Sequence, residues 1–151
     1  MLFRSAERAA QIRAYFRAAG LEGFEGELPW RISGGMRQKV NVIRAFCSGW
    51  PLILMDEPFV SLDFPSRQEL QELTLKLWSR EKKTIVFVTH DLDEALQLSN
   101  RVLVLSPRPS NVVKEISLSF GYPRDALALR ASAEYAAAYR EIADTLLRRK
   151  A

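Results

Sequence analysis

The stretch that most limits how this chain can fold is Leu52-Ile53-Leu54-Met55, an unbroken apolar run that ends in Asp56-Glu57-Pro58. An apolar run closed by two carboxylates and a proline reads as a buried strand, delivering Asp56 and Glu57 to a site at its C-terminal end. A second run, Thr84-Ile85-Val86-Phe87-Val88, reads as another buried parallel strand and ends at Thr89-His90-Asp91. Between the two, Leu70, Leu73 and Leu77 recur at helical spacing, so residues 66–80 are expected to form a helix. Strands alternating with helices predict an α/β fold.

Upstream of the first strand lies Ile32-Ser33-Gly34-Gly35-Met36-Arg37-Gln38-Lys39, which reads as a loop opening into a helix over about 33–48. Ser33 is a good N-cap, and the two glycines carry no side chain to hold a ligand away from their amides. A helix starting there aims free N–H groups, and the positive end of its dipole, at an anion such as a phosphate. Val40, Ile43 and Cys47 run along one side of it, and Gly49 closes it. Residues 5–19 predict an amphipathic helix with Ala9, Ile12, Tyr15, Phe16 and Ala19 on its inner face, followed by a glycine-rich loop over 20–31. After Pro58, Ser61-Leu62-Asp63-Phe64-Pro65 predicts a turn, with Pro65 well placed to start the next helix and Asp63 ordinarily an Asx-turn or helix cap. Asp91 with Glu94 predicts a capping-box-like start to a helix through Leu98. A third strand is expected over Arg101–Leu105. Alternation from Val112 to Phe120 places Ile116, Leu118 and Phe120 on one face, as in an antiparallel edge hairpin. Asp125 to Lys150, with Tyr135, Tyr139, Ile142 and Leu146, predicts one terminal helix.

Bulk properties remove several classes of function. Hydrophobic residues at 48% and charged residues at 26% of the 151-residue chain argue for a globular domain and against disorder. The net charge of +4 is spread along the sequence apart from Arg148-Arg149-Lys150, so it reads as a solvated surface and not as a nucleic-acid interface. Cys47 is the only cysteine, which excludes an intrachain disulfide and a cysteine metal cluster and is compatible with a reducing compartment. No apolar run approaches the roughly 20 residues that span a bilayer, and Met1-Leu2-Phe3-Arg4 begins no signal peptide. A soluble chain is expected, with any membrane role reached through a partner.

Singly, each motif has a plain structural reading: a cap and turn at Ser33, a solvated strand end at Asp56, a surface or capping histidine at His90. Their order is more specific. Signature-like loop, helix, strand with Asp-Glu-Pro, Ser-Leu-Asp turn, helix, strand with Thr-His-Asp closely resembles the C-terminal part of an ATP-binding-cassette (ABC) ATPase domain, over about residues 5–125. The resemblance implies an incomplete α/β, P-loop NTPase-like ABC ATPase domain over residues 1–125. Residues 1–48 would form part of the helical subdomain and the signature helix, and residues 49–125 the C-terminal part of the parallel core sheet with its edge hairpin. Residues 126–151 would be a helical extension.

Carried over by position, the resemblance implies that Ser33, Gly34, Gly35 and Gln38 contact ATP held by the opposing subunit of a head-to-tail dimer. Asp56 would hold Mg²⁺ through water, and Glu57 would orient and deprotonate the attacking water. His90 would hydrogen-bond the γ-phosphate, and Asp63 would lie in the turn that touches across the dimer. Phosphoryl transfer needs positioning and charge neutralisation more than covalent chemistry, which suits this set. Implied partners are a second ABC ATPase subunit, transmembrane permease subunits and, indirectly, a solute-binding protein, with no nucleic acid. The implied location is peripheral, on the cytoplasmic face of a bacterial inner membrane. Leu103-Val104-Leu105-Ser106-Pro107-Arg108-Pro109 and Tyr122-Pro123-Arg124-Asp125 further resemble importers of the nitrate, sulfonate and taurine group, a pattern shared by related pyrimidine-precursor importers.

The chain departs from that family in one major respect. Its seven glycines sit at 20, 23, 26, 34, 35, 49 and 121, and no G-x-x-x-x-G-K-[ST] occurs. In the family that loop and its lysine supply most contacts to the β- and γ-phosphates. Alone, the chain is therefore not expected to bind or hydrolyse ATP appreciably. Strands 52–55 and 84–88, without further sheet neighbours and helix cover, should leave an open, sticky edge. Lesser departures are Ile32 for the family's leucine, Lys39 for its arginine, Asn41 and Ile43 where alanines are common, and Val60 where a small residue is usual. Three readings follow: part of an importer ATPase, a regulatory module lending its signature loop in trans to a complete ATPase, or an inert truncation. The half-head of a chromosome-maintenance ATPase needs a long heptad segment before the signature, and residues 5–19 are too short for one.

Overall fold

A computed structural model describes residues 5–60 and 62–148; Ser61 of the expected turn, and Arg149 and Lys150 of the expected terminal helix, lie outside them. The chain divides after Val86 into two compact units. The first begins with α1 (Ser5–Ala18), which Gly20 ends at φ 68, a conformation that suits glycine. Its inward positions Tyr15, Phe16 and Ala19 are buried, while Ala9 and Ile12 are half-buried. The Tyr15 hydroxyl donates to the Glu81 carboxylate, tying α1 to residue 81.

A 3-10 turn at Pro29–Arg31 leads into α2 (Gly34–Phe46), which packs on α1 and on α3 (Phe64–Glu81). Helix α2 ends two residues before the expected Ser48. Val42, Ile43 and Phe46 form its buried face, while Val40 and Cys47 are only half-buried, because the face turned to both neighbouring helices lies further round than Val40. In α3 the expected Leu70, Leu73 and Leu77 are all buried.

Strand β1 (Leu52–Asp56) pairs with β2 (Thr84–Val88), and α3 supplies the crossover that parallel neighbours need. The expectation of burial on both faces is corrected. Strand β1 alternates, with Ile53 and Met55 buried but Leu52 48% and Leu54 73% exposed, and Val86 of β2 is 50% exposed. Among the described residues, no layer covers that outer side. The sequence anticipated an open, sticky edge; the exposed apolar side chains Leu52, Leu54 and Val86 lie instead on a face of these strands.

The second unit holds α4 (Leu92–Leu98), β3 (Arg101–Leu105), β4 (Val112–Ser117), α5 (Ala126–Arg130) and α6 (Ala133–Arg148). Strands β3 and β4 run antiparallel with Val102 opposite Ile116 and an irregularity at Val104/Leu105. Ile116 and Leu118 face inward as the alternation predicted, and they pack with Leu96, Val104, Tyr135 and Ile142 in one core. The single terminal helix is corrected to two. Ala131 caps the C-terminus of α5, and Ser132 Oγ accepts from Tyr135 N at 3.1 Å, which starts α6 in a new direction. No helix among the described residues is long and apolar enough to cross a membrane.

Candidate functional site

Ser33 sits in extended backbone and its Oγ accepts from Met36 N at 3.2 Å, so it caps α2 as expected. Gly34 and Gly35 form the first turn, where the amides of a helix have no internal partner. Neither glycine is needed by the chain itself. A Cβ on Gly34 would lie 3.7 Å from Arg37 Nη2, and one on Gly35 3.7 Å from Ser66 Oγ, both ordinary contacts, and neither residue has positive φ. Arg37, which sequence reasoning passed over, fixes the loop: its Nη1 donates to Ile32 O at 2.7 Å and Pro29 O at 3.3 Å. Its place four residues after the cap was the available signal. Gln38 is half-buried and its Oε1 accepts from Asn41 Nδ2 at 3.2 Å.

Asp63 caps α3, with Oδ1 accepting from Ser66 N at 2.8 Å. The hydrogen bonds from Ser66 hold its carboxyl below the ordinary aspartate range. Because Ser66 also faces Gly35, the starts of α2 and α3 lie side by side, which brings Ser33, Gly34 and Gly35 near Asp63. Lys39 Nζ and Glu69 Oε2, 2.7 Å apart, join the same two helices.

Asp56 is exposed at the end of β1, and Glu57 follows it half-buried with φ 46. A residue with a Cβ is strained by about 1–2 kcal/mol in the left-handed conformation, and such strain concentrates at functional positions. Phe59, fully buried, anchors the turn that follows these carboxylates. Neither the strained φ nor this anchor was read from the sequence, although an aromatic directly after Glu-Pro was a signal for the second. Among the described residues no group of three or more His, Cys, Asp or Glu could hold a metal. One exposed carboxylate does fit Mg²⁺, which is commonly held by one or two carboxylates with waters and phosphate oxygens.

His90 is exposed between β2 and α4 and belongs to the second unit. Its neighbours are fixed: Asp91 Oδ1 accepts from Asp93 N and Glu94 N at 2.8 and 3.1 Å, Thr89 Oγ1 accepts from Asp91 N at 3.0 Å, and Thr89 Oγ1 donates to Glu94 Oε2 at 2.6 Å. None of the candidate residues lines the apolar groove of about 570 Å³ between α1 and α2. Apart from Gln38, which lies within α2, they stand at or beside the ends of helices and strands.

Residues 2–60 match the ABC transporter family. The chain is 41% identical over 140 residues to the taurine import ATP-binding protein TauB of Rhizobium johnstonii, covering 90% of this chain and 53% of that protein. It is 44% identical over 119 residues to an ABC transporter ATP-binding protein of Methanocaldococcus jannaschii, covering 79% of this chain and 45% of the relative. Among solved structures it is similar to a dimeric, post-hydrolysis ATP-binding cassette bound to ADP and Pi, with 30% identity, a TM-score of 0.61, and coverage of 80% of this chain and 51% of that one. The chain thus spans about half the length of the curated relatives it matches.

Proposed function

Because this chain belongs to the family of ABC transporter ATP-binding proteins, we propose that it acts in the ATP-hydrolysing subunit of an importer for a small anionic solute such as nitrate, a sulfonate or taurine. The observation that carries this reading is the glycine pair Gly34-Gly35: an open helix start, capped by Ser33, whose lack of side chains the chain's own packing does not require. Ser33, Gly34, Gly35 and Gln38 would bind the phosphates of ATP held by an opposing subunit, with Asp63 beside them at the dimer contact. Asp56 would hold Mg²⁺, which supplies charge neutralisation at the phosphates when bound. Glu57 would orient a water and take its proton, and His90 would donate to the γ-phosphate.

In this reading residues 1–125 are cassette, with residues 126–151 an extension. The P-loop comes from sequence other than these 151 residues, so the isolated chain has no turnover. Its partners would be a second ATPase subunit and permease subunits at the cytoplasmic face of a bacterial inner membrane. The name of its relative TauB supports the solute class, and the dimeric cassette supports the paired assembly.

The absence of a G-x-x-x-x-G-K-[ST] sequence favours a second reading, in which the chain lends its signature loop in trans to a complete ATPase and has no turnover of its own. One experiment tests what both share. Combined with a complete relative that keeps its P-loop but has its own signature loop disabled, this chain should restore ATP turnover, and Ser33→Arg should remove that effect. Equal turnover with and without the Ser33→Arg substitution would overturn the assignment of the loop.

A further inference from the structure

Helix α4 is seven residues long, too short to hold itself together, and it carries His90 at its entrance. Its exit is covered by a segment 24 to 28 residues away in sequence. Arg124 Nη1 donates to Leu96 O, Gln97 O and Ser99 O at 3.1, 2.8 and 2.8 Å, and Tyr122 OH donates to Leu98 O at 3.3 Å. Every carbonyl from Leu96 to Ser99 is thereby satisfied by one dipeptide-spaced pair of side chains, where a helix normally leaves its last carbonyls unpartnered. The guanidinium stacks on the Tyr122 ring at 4.1 Å and also donates through Nη2 to Phe120 O at 3.2 Å, so it is held from both sides. A half-buried positive charge at the C-terminus of a helix is favoured by the dipole as well.

The geometry points to Tyr122 and Arg124 as positioning residues for His90. The clamp fixes the C-terminal end of α4. At the other end Thr89 and Asp91, the residues on either side of His90, are bonded into the first turn through Glu94 and the amides of Asp93 and Glu94. With Leu96 fully buried between, α4 moves as a unit or not at all. Displacement of its exit therefore displaces the histidine. The consequence for ATP rests on the reading of His90 given above, but the positioning itself does not. Lysine is a poorer replacement for Arg124: an ammonium could donate to the three carbonyls that Nη1 reaches, but it loses the Nη2 bond to Phe120 O and the planar stacking on Tyr122.

His90 is the only histidine, so its ring signal in an NMR spectrum of the full chain is unambiguous. In Arg124→Gln, amide exchange in α4 should accelerate at least about tenfold while β3 and β4 stay protected, and the His90 ring signal should shift and narrow. Arg124→Lys, which keeps a donor for the three carbonyls but loses the stacked plane, should fall between the unaltered chain and Arg124→Gln. Parallel acceleration of α4, β3 and β4 would mark a merely structural residue, and a loosened α4 with an unchanged His90 signal would break the link; either overturns the proposal. Should Arg124→Gln fail to fold, Tyr122→Phe, which deletes one hydroxyl, is expected to give the same pattern at smaller size. No change at α4 or His90 in that variant would also overturn it. Because no nucleotide is involved, failure here is distinct from failure of the ATPase reading.

Discussion

Gly35 and Ser66 face each other across the starts of α2 and α3, and a methyl group on Gly35 would sit 3.7 Å from Ser66 Oγ. That is ordinary contact, so the chain would accept alanine there. We expect Gly35→Ala to leave the unfolding midpoint unchanged or to raise stability by about 0.4–1 kcal/mol, since alanine suits a helical position and restricts the unfolded chain. In an assembly with ATP, the same variant should lose turnover. A drop in stability measured by denaturant unfolding would mean that the glycine serves the fold.

Glu57 adopts φ 46 without being glycine. Glu57→Gly should relieve that strain and stabilise the chain by up to about 1 kcal/mol, after allowing for the extra freedom glycine gains when unfolded. Stability that falls in Glu57→Gly, read by the same unfolding titration, would show that the carboxylate's contacts outweigh the strain.

Asp63 has its carboxyl held below the ordinary range by the hydrogen bonds from Ser66. A depressed value in the folded state adds stability that is present above the unfolded aspartate value, about 3.9, and is lost as pH falls through the folded one. Acid unfolding monitored by circular dichroism should therefore begin at higher pH in Asp63→Ala, with helix loss in α3. Asp63→Ser, which keeps a cap, should retain α3 while losing the pH dependence.

Tyr135 is buried and donates to Asp93, and burial followed by that hydrogen bond pushes its hydroxyl up to about 12. The neutral form is the one that folds. Its contribution is complete below the unfolded tyrosine value near 10 and disappears as pH rises toward 12. Tyr135→Phe should flatten the alkaline limb of a stability curve between those values while lowering stability at neutral pH. An unchanged alkaline limb would assign that limb to other groups.

Leu54 is 73% exposed on β1, beside Leu52. Leu54→Ser should alter stability by less than about 0.5 kcal/mol, as expected of a surface position, and should reduce self-association in sedimentation. Unchanged self-association would place the sticky surface elsewhere.

What could be read from the residues was local. Ser33 and Asp91 announce helix starts because a capping side chain bonds amides two or three positions on, and Leu70, Leu73 and Leu77 announce a buried face by spacing alone. The burial of Leu52, Leu54 and Val86 was misjudged because it depends on a second layer, and an apolar run carries no record of whether that layer is present. The break between α5 and α6 was hidden in an alanine-rich stretch, where only Ser132 gave a cue. At the candidate site the residue types were legible. The left-handed turn at Glu57 and the hold of Arg37 on Ile32 depend on backbone geometry that no residue spells out.

The most direct measurement joins the chain to the P-loop-bearing half of a relative such as TauB and compares ATP hydrolysis with Glu57 and with Glu57→Gln. Loss of the general base should lower turnover by roughly 10²–10⁴-fold. ATP binding should persist, because Glu57 is assigned to the water and not to the phosphates. Equal turnover by the two proteins would contradict the assignment of Glu57, and with it the central claim that this chain carries the hydrolytic half of a cassette.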